Sequence, residues 1–198
     1  MAKLFPYMHR RNFLSEELSE QILAYAVSRE KDFSRSRVLN QGVLTVSDLR
    51  ISFTLKDLGP YKEIFTENIS KIIPEMIASL QISPFNIGEI EVQFAAHGNG
   101  AFFTSHIDTA VHEKTETPRI ISAVYYLHSI PKKFQGGNLR LHTVPIGEEN
   151  DQPKEITPDN NSLLVFPSHA PHEVLSVVAP NVEFKDWRFA VNCWIHRA

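Results

Sequence analysis

The chain is almost without cysteine, carries no excess of basic charge and has no long apolar run. A single cysteine, Cys193, among 198 residues excludes an internal disulfide and a thiolate zinc cluster, and fits a reducing compartment. Twenty lysines and arginines against twenty-three acidic residues give a formal net charge of −3, without the basic surplus that binding to nucleic-acid phosphates requires. Residues 1–17 scatter their apolar side chains among His9, Arg10 and Arg11. They lack the roughly 7–15-residue apolar core of a signal peptide, and nowhere does the chain reach the ~20 apolar residues of a membrane span. No internal repeat or low-complexity tract is present. These absences predict a cytoplasmic protein with neither nucleic acid nor membrane as partner. Against roughly 150 residues per domain, the length predicts one domain over 1–198, and 42% hydrophobic residues suffice for its core.

What is present divides near residue 85. Ser15 is placed to cap a helix whose first turn carries Glu16 and Glu17, and Leu14, Leu18, Ile22, Tyr25 and Ala26 recur at helical spacing to about Arg29. From Gly59 to Leu80, Ile64, Phe65, Ile69, Ile72, Ile73, Met76, Ile77 and Leu80 repeat the pattern, with Pro74 kinking the helix or starting another. Beyond Phe85 the chain reads as short strands between turns: Ile87–Ala96, Ala101–Asp108, Arg119–His128, Asn138–Thr143, Ser162–Phe166, His172–Val178 and Trp187–His196, with Arg50–Leu55 as an earlier one. This predicts a mainly β protein with N-terminal helices, a helical support over about 1–85 and a jelly-roll core over about 86–198. Segment 145–161 sets Glu148, Glu149, Asp151, Glu155 and Asp159 against Lys154 alone, with Pro153 and Pro158, and is expected to be a long solvated loop rather than a lid.

Nine histidines in a mildly acidic chain direct the search for chemistry. In Phe102-Phe103-Thr104-Ser105-His106-Ile107-Asp108 the alternation of a strand puts His106 and Asp108 on one face and Ile107 on the other. A third ligand must come from a distant strand, and His172 is preferred to His169. His169 sits in a turn between Pro167 and Pro171, whereas His172 begins an alternating stretch with Val174 and Ser176. Two histidines and a carboxylate with open positions opposite make the facial triad of non-haem Fe(II) oxygenases. In the C-terminal strand, Arg188, Ala190, Asn192 and Trp194 share one face, and Phe189, Val191, Cys193 and Ile195 the other. An arginine pointing into a barrel calls for a carboxylate, which a ligand could bring. The alternative is an outward Arg188 paired with Asp186 or Glu183.

At this point the chain resembles the 2-oxoglutarate- and Fe(II)-dependent dioxygenases of the prolyl 4-hydroxylase-like group. The pieces stand in that group's order: Gly98-Asn99-Gly100-Ala101-Phe102-Phe103, His106-Ile107-Asp108, Val124-Tyr125-Tyr126-Leu127, Gly136-Gly137-Asn138-Leu139, Leu164-Val165-Phe166-Pro167-Ser168, His172-Glu173-Val174, and Arg188 to Trp194. The resemblance covers about Glu89 to Arg197. It implies a double-stranded β-helix in which His106, Asp108 and His172 bind iron, while Arg188 and Tyr126 hold the distal carboxylate of 2-oxoglutarate. It further implies Fe(II), 2-oxoglutarate and O2, with ascorbate as a supporting reductant, and hydroxylation of an unactivated C–H bond with release of succinate and CO2. Halogenating relatives have a small residue where this chain has Asp108, so hydroxylation is expected. The substrate, a peptide with proline included or a small molecule, has no code in Thr109–Pro118, Ser34–Ser47 or 145–161.

Two positions depart from the group. His97 stands where many relatives place a tyrosine, and Arg188 follows His172 by sixteen positions, a longer interval than usual, so residues 179–186 are expected to bulge out. The other histidines have plainer readings, with His112, His128 and His142 on the surface or at the mouth and His9 and His196 peripheral. Cys193 reads as a small buried hydrophobe. No serine-nucleophile elbow occurs, and Gly98-Asn99-Gly100 is too short for a phosphate loop. The rival classes are a cupin-type metal enzyme without 2-oxoglutarate, which would not need Arg188 and Tyr126, and a non-catalytic jelly-roll binding module, which would not need the metal triad.

Overall fold

The computed structural model describes residues 3–36, 49–109, 117–144 and 152–198 with their side chains, and the backbone of 38–40 and 43–45. The two amphipathic stretches form α1 (Glu16–Ser28) and α2 (Lys62–Leu80). Ser15 caps α1 by accepting from the Leu18 amide. In α2 the buried residues Phe65, Ile69, Ile73, Met76 and Leu80 form one stripe. Pro74 lies inside this single helix and does not divide it. Both Pro74 and Ser70, whose carbonyl loses its helical donor, are exposed, so water can serve that carbonyl. No helix among the described residues is long and apolar enough to cross a membrane.

The strands that build the two main sheets are β1 (Met8–Arg11), β2 (Ser34–Arg35), β3 (Arg50–Ile51), β4 (Phe53–Leu55), β5 (Ile87–His97), β6 (Phe102–His106), β7 (Arg119–Leu127), β8 (Leu139–Leu141), β9 (Lys154–Ile156), β10 (Ser162–Pro167), β11 (His172–Val174) and β12 (Arg188–Arg197). The larger sheet runs β1-β10-β7-β12-β5-β4-β2 and the smaller β9-β8-β11-β6-β3. All these pairings are antiparallel. The fold is therefore a jelly roll with helices on one side. Alternation decides which core each residue joins. Ile121, Ala123, Tyr125 and Leu127 of β7, with Phe189, Val191, Cys193 and Ile195 of β12, pack under the helices. Val124, Tyr126 and Ala190 point the other way, towards Leu139, Leu141 and Ile156 of the smaller sheet. Each fully buried aliphatic or aromatic side chain contributes about 1.5–3 kcal/mol, so the helix-side layer anchors the sheet and leaves its inner face free for polar groups.

Three expected strands are interrupted: Asn138–Thr143 at His142, His172–Val178 at Leu175 and Ser176, and, with structural weight, Arg50–Leu55 at Ser52. Arg50–Leu55 crosses between sheets at Ser52: Arg50–Ile51 pairs with Phe103 and Phe102 in the smaller sheet, and Phe53–Leu55 with Phe94–Ala96 in the larger. The acidic segment 145–161 is not all loop. Lys154–Ile156 pairs with Leu139–Leu141, because Glu155 reaches Arg140 at 2.7 Å while Ile156 is buried; residues 145–151 lie outside the described residues. The bulge at 179–186 is packed, with a short 3-10 turn at Phe184–Asp186 whose Phe184 ring meets Phe33 and Phe189 edge-on.

The N-terminal segment is tied to the sheet by Asn161, which has φ +56°. Its side chain accepts from the Leu14 amide at 3.0 Å and from the Tyr125 hydroxyl at 2.9 Å, and donates to the Leu14 carbonyl at 2.9 Å. Asn161→Ala leaves the buried Leu14 amide and carbonyl without their side-chain partner, takes one of two partners from the Tyr125 hydroxyl, which keeps Ser19 Oγ, and imposes a left-handed backbone on alanine. It is expected to cost roughly 2–4 kcal/mol in urea unfolding, and Tyr125→Phe about 1 kcal/mol.

Candidate active site

His106 ends β6 and His172 begins β11, and the two are directly opposed across the antiparallel pair. Their rings lie 4.2 Å apart between centroids. Asp108 stands just beyond β6, which ends at His106, two residues short of Asp108 where the strand was expected to finish. Its amide donates to the Ser168 carbonyl at 2.8 Å, and that bond turns the carboxylate back to the histidines. Its two oxygens sit 3.6 Å from His106 Nε2 and 3.6 Å from His172 Nε2. One ligand atom from each of the three residues falls within 4.8 Å of the others. Each imidazole donates from Nδ1 to a carbonyl, His106 to Thr104 at 2.8 Å and His172 to Ala170 at 2.9 Å. Both Nε2 lone pairs are thereby aimed at one point.

Arg188 points inward and is 1% exposed, so the outward alternative with Asp186 or Glu183 does not occur. Its Nε donates to the Gly137 carbonyl at 2.9 Å and a terminal nitrogen to His97 Nδ1 at 3.1 Å. Its guanidinium lies 5.0 Å from the Tyr126 ring centre. No carboxylate among the described residues pairs with it. Gly137, at φ +66°, is needed here, since a Cβ would come within 2.7 Å of Arg188 Cδ. The Tyr126 hydroxyl is buried and, among the described residues, within the influence of Arg188 but without a well-formed hydrogen bond. Triad and guanidinium face one cavity of about 450 Å³, large enough for a small ligand.

Residues 92–196 match the family model of the 2OG-Fe(II) oxygenase superfamily. The chain belongs to that superfamily. An uncharacterized PKHD-type hydroxylase of Synechocystis sp. is 36% identical over 197 residues, covering 96% of this chain, which spans 63% of that relative. Among solved structures, a prolyl-4-hydroxylase of Pseudomonas putida superposes with a TM-score of 0.70 at 20% identity, over 98% of this chain and 94% of the other. A Trichoplax adhaerens prolyl hydroxylase, in complex with a hypoxia inducible factor oxygen degradation domain peptide fragment, gives 0.73 at 22%, over 97% and 84%. The shared fold is that of the prolyl hydroxylases.

The three candidate ligands fit Fe(II) in donor type, and His172 and Asp108 fit it in state as well. Burial pushes the His172 imidazole down to about 4, leaving it neutral with its lone pair free. At Asp108 burial alone would raise the carboxyl, but His172, His106 and the Ser122 hydroxyl at 2.7 Å outweigh it and hold the group well below the usual carboxylate range. His97 is buried and also held far below its ordinary value, by burial first and then by Arg188 and Arg50. Since a guanidinium only donates, Nδ1 of His97 accepts and its proton sits on Nε2. His97 is thus a partner of Arg188. Burial raises the Tyr126 hydroxyl to about 12 against the pull of Arg188, so it remains a donor.

Not every histidine falls where expected. His169 is exposed, edge-on to Phe5, and outside the cluster. His128 is buried rather than superficial, donating from Nδ1 to the Ser129 carbonyl and packing on Phe134. His142 is mostly buried beside Glu173, His196 joins Glu91, and His112 lies outside the described residues. Sequence reading passed over Ser122 and Arg50, which both line the cavity. Ser122 was accessible from alternation with Val124 and Tyr126.

His97 and His172 are neutral in the fold and take up protons only well below the ordinary histidine value near 6.5, so the unfolded chain binds protons first as pH falls. The metal-free protein should therefore lose stability as pH drops from about 6.5 towards 4, the His172 part being on the order of 3 kcal/mol. Urea unfolding across that range should show a shallower slope for His172→Asn.

Proposed function

We propose that the chain is an Fe(II)- and 2-oxoglutarate-dependent dioxygenase that hydroxylates an unactivated C–H bond of a peptidyl substrate, prolyl included, or of a small molecule. His106, Asp108 and His172 hold the iron, and Arg188 with Tyr126 holds the distal carboxylate of 2-oxoglutarate. The observation that carries this reading is a buried guanidinium without an acid partner among the described residues, in the same cavity as three converging ligands.

Fe(II) with 2-oxoglutarate and O2 supplies oxidative decarboxylation to succinate and CO2 and the oxidising equivalent that turns R–H into R–OH. The protein's part is geometry and electrostatics. His106 and His172 present fixed Nε2 lone pairs because Thr104 and Ala170 hold their Nδ1 protons. Asp108 neutralises one charge of the metal, and Ser122 fixes its rotamer. Arg188 is positioned by Gly137 and His97 with donors left over for a carboxylate, and the unpaired Tyr126 hydroxyl stands ready to add another. We further infer that residues 1–198 act as one domain and work in the reducing cytoplasm, where ascorbate can keep the iron reduced.

Replacing His106, Asp108 or His172 by alanine is expected to abolish succinate release while circular dichroism stays that of the wild type. A fully active His172→Ala protein would remove His172 from the ligand set.

Arg188→Ala is expected to weaken 2-oxoglutarate binding to the Mn(II) form at least tenfold to a hundredfold, since each charge-assisted hydrogen bond contributes roughly 1.5–3 kcal/mol, and Tyr126→Phe less. Unchanged affinity in Arg188→Ala, with turnover intact, would favour a cupin-type enzyme without this cosubstrate. Failure of the wild type to bind Mn(II) or Fe(II) would favour a binding module.

A further inference from the structure

The strand that changes sheets at Ser52 brings a second guanidinium into the cavity. Arg50 is register partner to Phe103, and its Cζ stands 4.8 Å from the Phe103 ring centre. That ring in turn stacks on His106 at 3.5 Å. One aromatic layer therefore separates Arg50 from a candidate iron ligand. Its Nε donates to Ser52 Oγ at 2.9 Å, and that hydroxyl is clasped by Ser36 Oγ at 2.6 Å. The guanidinium is thus oriented by its inner edge, while neither terminal nitrogen makes a hydrogen bond to a described residue. No carboxylate among the described residues comes within ion-pair distance of it. Burial lowers its pKa and only the charge of Asp108 opposes this, yet a guanidinium stays protonated in such surroundings.

The charges lining the cavity show what is missing. Arg50, Arg119 and Arg188 face Glu91 and Asp108. Arg119 is spent on Glu91, with contacts of 2.7 and 3.1 Å, and His97 is neutral. On the proposed function, which this step rests on, Fe(II) cancels the 2-oxoglutarate dianion and Asp108 cancels Arg188. Arg50 is left over. A half-buried cation that no described residue of the loaded site neutralises is costly unless the remaining ligand supplies the anion.

We infer that Arg50 binds a carboxylate of the molecule to be oxidised, and that this molecule is a small carboxylic acid of amino-acid size. The size follows from the cavity, whose 450 Å³ must hold cosubstrate and substrate together. The carboxylate would lie across the Phe103 ring from the iron ligands, so the C–H bond attacked is a few bonds from the acid group.

The test uses N-acetyl derivatives of proline, leucine, lysine and glutamate, each as free acid and as carboxamide. They are titrated into the Mn(II) protein with and without 2-oxoglutarate, following broadening of the acetyl methyl signal by the metal. At least one acid is expected to bind ~10-fold or more tightly than its amide. Arg50→Gln should erase that difference with 2-oxoglutarate affinity unchanged within about twofold, and Arg50→Lys should restore part of it. Glutamate with its α-carboxyl amidated separates a side-chain carboxylate from a main-chain one. Equal behaviour of every acid and its amide, including no broadening by either, overturns the proposal. So does a tenfold loss of 2-oxoglutarate affinity in Arg50→Gln, which would assign Arg50 to the cosubstrate. If 2-oxoglutarate fails to bind the wild type, the proposed function fails instead, and the comparison made without it still decides for or against the carboxylate site.

Discussion

Withdrawing a guanidinium from water costs several kcal/mol unless hydrogen bonds replace its hydration. At Arg188 the protein makes only part of that replacement, through the Gly137 carbonyl and His97 Nδ1. Much of the neighbouring design follows from this one demand. Gly137 has no side chain because the arginine stem occupies the space a Cβ would need. His97 is kept unprotonated, since a second cation there would face the guanidinium directly. Tyr126 lends its ring and keeps its hydroxyl unspent. The site is prepared for an anion rather than satisfied without one.

The triad works on a different economy. Its two imidazoles come from a cross-strand pair, the shortest-range way for an antiparallel sheet to bring distant sequence together, and the carboxylate is delivered by one backbone hydrogen bond to Ser168. Orientation is supplied by carbonyls, which cannot titrate. Changes of pH near neutrality therefore leave the imidazoles pointing inward.

Much of this was legible in residue order. Alternation along Arg188–Trp194 assigned both faces correctly, and helical spacing found the stripe of α2, because each periodicity follows from backbone geometry alone. The preference for His172 over His169 came from strand pattern against a proline-bounded turn and from the motif position in the resembled family; the structure groups His172 with His106 and Asp108 and leaves His169 exposed. Less was visible where tertiary pairing overrides local signal. Lys154–Ile156 sits among prolines and acids and becomes a strand only because Arg140 awaits Glu155. Arg50–Leu55 reads as one strand, and nothing local marks Ser52 as the corner where it leaves one sheet for the other. Arg50 was missed for that reason: its direction depends on the corner.

The C-terminal strand carries two unrelated duties on alternate residues. Phe189, Val191, Cys193 and Ile195 answer to the helices, while Arg188, Asn192 and Trp194 answer to whatever enters the cavity. Because neighbouring side chains look into different environments, the tolerance of this strand to change should oscillate with a period of two. One phase trades in folding and the other in what the cavity accepts, so ligand choice could be retuned along the same ten residues that hold the chain together, without touching the layer beneath the helices.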